Sequence, residues 1–168
     1  MDINITARDF MLLEELVRLH LHPDSLAARG LTEKLGRCRV VVPDKVEADV
    51  VTLDSRVAFS INGGAPEERV LVLPNGPNLQ GWSLPVTTPR GLAMLGNRAG
   101  MTVTAERSGG IIESIDILSV AFQPEEAARR RAARMTSARS ASLVPLRRPA
   151  GLRARRPPGD GEDPPPAA

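Results

Sequence analysis

The residues in this chain whose types could do chemistry begin with His20-Leu21-His22 and Asp24, an imidazole and carboxylate set of the kind that holds a divalent metal. Their spacing argues against it. Residues two apart share a face on a strand but lie on different faces of a helix, so a third ligand would have to come from a turn. They read as surface histidines at a helix end. Glu14, Glu15 and Glu33 fall on a helical period and read as solvated faces, and the lone Cys38 reads as a small buried apolar residue on a helix, with no disulfide partner. No Ser/His/Asp set, phosphate loop or dinucleotide fingerprint occurs, because Gly63-Gly64 and Gly109-Gly110 are isolated turn signals. The sequence therefore predicts no catalytic residue, no metal and no cofactor. What remains is recognition, with two candidate stretches: Thr87-Thr88-Pro89-Arg90 in a loop, and His22-Pro23-Asp24 at a helical turn.

The elements that position these stretches follow from hydrophobic period. Residues 1–40 read as a helical hairpin. Thr6 or Asn4 caps a helix with Phe10, Leu13 and Val17 on one face, widened by Leu12, Leu16 and Leu19. Pro23-Asp24-Ser25 supplies a turn and a cap for a second helix through Leu26, Leu31, Leu35 and Cys38, unless Gly30 delays its start to Thr32. A connection this short makes the two helices antiparallel neighbours. Residues 41–49 read as a linker with a turn at Pro43-Asp44. From Val50 to Ile61 the period is two, which predicts one half-buried strand. RVLVLP, WSLPVT, MTVTAER and IIESIDILSVAF supply four more, giving an α+β unit over residues 50–124 with a mainly antiparallel sheet. Between WSLPVT and MTVTAER lies TPRGLAMLGNRAG, a short helix started by Pro89 and stopped by Gly96. Its Leu92, Met94 and Leu95 plug the apolar face of a half-barrel, and the loop that introduces it stays exposed. Trp82 and Phe59 or Phe122 are expected in the core.

Charge divides the chain. Residues 1–124 hold 12 Lys/Arg against 15 Asp/Glu, whereas residues 125–168 hold 10 Arg against five acids and seven of the 15 prolines. The stretch 125–135 is compatible with a short exposed helix. Residues 136–168 lack aromatic residues and any sustained apolar period, and are expected to be disordered, with loose electrostatic attraction to RNA, DNA or an acidic protein. No run of about 18 apolar residues is present, and MDINITARDF lacks a signal peptide's pattern, so no membrane contact and a cytoplasmic location are expected.

VVTLDSRV at 50–57, TPRGLAMLGNRAG at 88–100, SGGIIESIDILSVAF and FQPEEA occur in order and in register, with LTEKLGRCRVVVPDKVEADVV upstream of them. Over residues 3–127 this pattern resembles the regulator of nucleoside diphosphate kinase branch of the GreA/GreB transcription elongation factor family. The resemblance implies an N-terminal antiparallel coiled coil joined to an FKBP-like half-barrel. It also implies a monomer that docks on bacterial RNA polymerase at the secondary channel in competition with Gre factors, through a loop matching Thr87, Thr88 and Pro89. Arg90 joins that set on exposure and charge alone.

Gre factors stimulate transcript cleavage with two acidic residues at the tip of a long hairpin, where they help hold a metal ion. A hard, hydrated cation needs more than one carboxylate. The tip here, LHLHPDSLAARGL, contains only Asp24, so occupation without cleavage is expected. The chain departs from the family pattern at Met101, where Asp is usual after Gly100, and at Asp54, where Asn is usual. A prolyl isomerase on the same fold needs a ring of aromatics, and this chain has three Phe, one Trp and no Tyr. The other rival is nucleic-acid binding by the Arg-rich tail as the main activity.

Overall fold

The computed structural model describes residues 3–76 and 81–141. Its first element is β1 (Asn4–Thr6), followed by α1 (Ala7–Leu19) and α2 (Leu26–Arg37). Thr6, not Asn4, caps α1, its hydroxyl accepting from Asp9 N at 3.1 Å. Ser25 caps α2 in the same way through Ala28 N at 3.1 Å. Thr32 lies inside that helix and donates to Ala28 O at 2.8 Å, so α2 does not start there. Leu13, Leu16, Ala28 and Leu31 are buried between the helices and the body, whereas Leu19 and Leu26 near the turn are exposed. Cys38 follows the end of α2 and is half-buried, with its thiol against Leu35 O at 3.3 Å.

The end of the expected hairpin and the start of the expected linker carry regular structure. Arg39–Val41 forms β2, which pairs in parallel with β1, Ile5 opposite Val40. The two chain segments that enter and leave the hairpin are thus tied together at its root. A 3-10 turn follows at Pro43–Lys45.

The expected strand at 50–61 is only half strand. β3 spans Arg56–Ile61. The preceding segment from Val50 is buried on nearly every residue, not on alternate ones, and its backbone bonds run to scattered partners. Val51 N donates to Asn97 O, Asp54 N to Leu71 O, and Leu53 N to a carboxylate oxygen of Asp9 at 2.9 Å. Asp54 has φ 64°, a left-handed conformation that interrupts any strand.

β4 (Glu67–Val72), β5 (Ser83–Pro85), β6 (Thr102–Arg107) and β7 (Ile111–Phe122) complete a curled five-stranded half-barrel in the order β5-β4-β3-β7-β6, antiparallel except between β4 and β5. Pro85 sits on the edge strand, where a missing N–H costs no ladder bond. The core contains Phe59, Leu71, Ile115 and Ile117, and α3 (Pro89–Met94) closes it with Met94 and Leu95, each 1% exposed. Of the aromatics expected inside, Phe59 is buried, but Trp82 is 52% exposed and Phe122 45%.

A last helix, α4 (Pro124–Ala141), runs beyond the expected limit of 135, so residues 136–141 are helical and not disordered as expected. The rest of the expected disordered tail, residues 142–168, lies outside the described residues.

Candidate docking site

Thr88 and Pro89 form a rigid corner. The Thr88 hydroxyl accepts from Gly91 N at 3.1 Å and donates to Pro85 O at 2.7 Å, joining the cap of α3 to the end of β5. Pro89 fills the first helical position, where its missing N–H is not needed and its fixed φ suits the helix. Gly91 lies so close to Pro85 O that a Cβ would collide with it, which sets how tightly the corner turns. Val86 is buried, Thr87 and Thr88 are half-buried, and Pro89 alone of the loop is fully at the surface.

Arg90 is not the free exposed cation expected from the sequence. Its Nε donates to Glu113 Oε2 at 2.7 Å and its Nη2 to Oε1 at 2.9 Å, a two-pronged pairing that fixes the guanidinium plane. Arg107 reaches the same carboxylate at 3.2 Å. Glu113 is 5% exposed, and the hydrogen bonds from Arg90 hold its carboxyl down at about 2, with Arg107 adding to the effect. The same bonds raise Arg90 above its ordinary value. Arg90 therefore fastens the first turn of α3 to β7 and positions Thr88 and Pro89. Sequence reasoning missed this because the partners stand 23 residues apart. It also missed Trp82, which is exposed just ahead of edge strand β5 and of the Thr87–Pro89 loop.

The other candidate stretch lies at the far end of the hairpin. His22, Pro23 and Asp24 are exposed, the His22 and Asp24 side chains by 77% and 94%. His22 Nδ1 accepts from Asp24 N at 3.3 Å, a bond internal to the turn. Glu14 and Glu15 lie on the exposed flank of α1, and Glu33 pairs with Arg37 at 2.9 Å. Among the described residues no group of three or more His, Cys, Asp or Glu is placed to hold a metal ion. Asp24 is the one carboxylate in the turn between the helices.

Tip and loop are thus separate features, linked only through the hairpin's root. A Cβ on Gly30 of α2 would meet the Leu92 side chain of α3, so these helices touch closely there. Lys34 Nζ donates to Ala93 O at 3.2 Å and Leu95 O at 2.5 Å, satisfying the carbonyls at the end of α3. Burial lowers this amine to about 8. On the other side of the root, Asp9 and Glu125 are both buried in a polar knot. Thr52 Oγ1 donates to Glu125 Oε2 at 2.9 Å, while Asp9 Oδ1 and Glu125 Oε1 have no hydrogen-bond partner. Burial raises the Asp9 carboxyl to about 6 against the bond from Leu53 N, and the neighbouring Glu125 pushes the same way. Thr6-x-x-Asp9 has the spacing of a capping box, which is why its long-range role was not legible.

A cleft of about 560 Å³ at the foot of the hairpin is lined by Asn4, Arg39, Val41, Lys45, Val46, Glu47, Arg98 and Met101. It contains no aromatic ring, unlike a proline-binding pocket.

A short helical hairpin rooted in a curled sheet that carries a plug helix and a Pro-led corner is the architecture of a GreA/GreB-type factor. A GreA/GreB transcription elongation factor from Nitrosomonas europaea superposes with a TM-score of 0.60 at 26% identity, over 73% of this chain and 99% of its own. The regulator of nucleoside diphosphate kinase from Escherichia coli K12 is 35% identical over 101 residues, which cover 60% of this chain and 74% of that protein. The protein of the same name from Shigella flexneri matches equally. No family model matches. The chain belongs to the regulator of nucleoside diphosphate kinase family, and these relatives are regulators and a transcription elongation factor. Asp54 has a left-handed φ, a region in which Asn and Asp are enriched among non-glycine residues. At Gly100-Met101 the turn is closed by backbone alone, Met101 N donating to Arg98 O at 3.2 Å. No helix among the described residues is long and apolar enough to cross a membrane.

Proposed function

We propose that this chain is a monomeric, cytoplasmic transcription regulator that docks on bacterial RNA polymerase at the secondary channel, competes there with Gre factors and does not stimulate transcript cleavage. One observation carries the reading. On a sheet module of Gre type stands a hairpin whose turn holds a single carboxylate, Asp24, between helices of 13 and 12 residues, about 20 Å each at 1.5 Å per residue. A lone exposed carboxylate is a weak ligand for a hydrated divalent cation, so an arm of this kind occupies a channel without supplying a metal site. Thr87, Thr88 and Pro89 form the docking corner, with Arg90 as a positioning residue through Glu113.

The test is retention of core polymerase on the immobilised chain, repeated with excess Gre factor and with Pro89→Ala, beside a cleavage assay on backtracked complexes. Retention lost to Gre factor, weakened by the substitution and unaccompanied by cleavage is the expected result. Retention that Gre factor does not displace, or cleavage above the polymerase's own rate, overturns the reading.

A further inference from the structure

The hydrogen bonds of α4 divide it into two halves. Just before the first, Gln123 Nε2 donates to Glu47 O and Val50 O at 2.7 and 2.8 Å, and within it Glu125 is buried against Thr52. Arg129 donates to Pro43 O at 3.1 Å and pairs with Glu126 at 2.7 Å, and Arg130 pairs with the same carboxylate at 2.6 Å. From Arg131 to Ser137 every residue is exposed. Its apolar residues Ala132, Ala133 and Met135 are among them, so this outer half is not packed on the body. Arg131 and Arg134 stand one turn apart on one side of it, and neither has a carboxylate partner among the described residues.

No acid follows Glu126 until Asp160, whereas ten arginines lie in that interval. Residues 1–124, by contrast, carry three more acids than bases. The Nitrosomonas factor is covered over 99% of its length by 73% of this chain, so 27% of this chain has no counterpart there.

We propose that the outer half of α4, through Arg131 and Arg134, is a contact surface for the phosphate backbone of a nucleic-acid duplex. The helix is held at its root and projects its guanidinium groups at fixed spacing. Guanidinium groups pair with phosphate in a planar, two-pronged geometry that suits this target. The aromatic rings that would stack on single-stranded bases are missing from α4, so the contact reads neither sequence nor unpaired bases. This surface is independent of polymerase docking and is measured without polymerase.

The test is fluorescence anisotropy of the full chain with a labelled mixed-sequence DNA duplex from about 50 to about 200 mM salt. Affinity is expected to fall steeply with salt. Arg131→Ala/Arg134→Ala should weaken binding by roughly tenfold and reduce the slope of log affinity against log salt by about 2. Alanine favours the helix, so circular dichroism of this variant should be unchanged. Arg147→Ala/Arg148→Ala serves as the control and should have the smaller effect. The proposal is overturned by any of four results: no duplex binding at low salt, unchanged binding in the helix variant, a larger loss in the control than in the helix variant, or equal affinity for single-stranded DNA or polyglutamate.

Discussion

The half-barrel and the hairpin solve opposite problems with the same residue types. In the half-barrel, Phe59, Leu71, Ile115 and Ile117 are enclosed by strands on either side and by Met94 of α3 and the Leu95 that caps it above. In the hairpin, burial fades with distance from the root: Leu13, Leu16, Ala28 and Leu31 are covered, whereas Leu19 and Leu26 are 59% and 76% exposed. Side chains in a closed core lose their contacts outright when truncated, while those at an open tip lose little. The lesson is a division of labour, in which the closed sheet sets stability and the outer hairpin contributes little to it.

That contrast is sharpest in paired truncations. Phe59→Ala is expected to cost about 3–5 kcal/mol, because the ring is 1% exposed and the surrounding strands cannot collapse onto the void. Leu26→Ala should change stability by no more than about 0.5 kcal/mol. Urea denaturation of the two variants checks this directly. Comparable losses from both would show that the hairpin tip is packed and the division is wrong.

The root between the two regions has its own signature, in pH. The Asp9 carboxyl lies at about 6 when folded against 3.8 in the reference state, so the folded chain holds the extra proton between those values. Stability from this group is therefore greatest below about pH 4, falls as pH rises to about 6 and is flat above, a total of up to about 3 kcal/mol. Glu113 acts in the opposite sense, its stabilising pairing being lost as pH falls through the acid range toward about 2. A stability maximum in mildly acid solution is expected, with Asp9→Asn flattening the decline toward neutral pH. An unchanged profile in that variant would remove Asp9 from the root's energetics.

Much of this was legible where local rules govern. The caps at Thr6 and Ser25, the plug helix between Pro89 and Gly96 and the strands β4, β6 and β7 all follow from period and punctuation. What escaped depends on distant partners. The pairing of β1 with β2 involves three residues on each side, too few for a period to register. Val50 to Ser55 imitates alternation, yet its backbone bonds go to Asn97, Leu71 and Asp9. At the Pro89 corner the residue types were visible, but the Glu113 partner that turns Arg90 into a brace was not.

Within the corner itself, Thr88→Ala removes two hydrogen bonds and the cap of a helix only six residues long. A lost cap costs about 1 kcal/mol, measurable by thermal unfolding. If the corner is a docking surface, polymerase retention should fall by more than that loss of folding predicts, whereas Leu26→Ala should leave retention unaffected by stability.

The smallest effect is expected at Asp54, where the left-handed backbone and a surface ion pair compete. Asn is more at ease than Asp at φ 64°, a preference of a few tenths of a kcal/mol, but Asp54→Asn gives up the charge that Arg8 contacts at 3.2 Å. Both groups are about half exposed, so that ion pair is worth between nothing and about 1 kcal/mol. The two terms offset, and Asp54→Asn should move stability by no more than about 0.5 kcal/mol in either direction. Asp54→Val keeps neither compensation and places a β-branched side chain in the left-handed region, at a cost of about 1–3 kcal/mol. Equal stability of the Asn and Val variants in urea titrations would mean that backbone conformation does not govern this position.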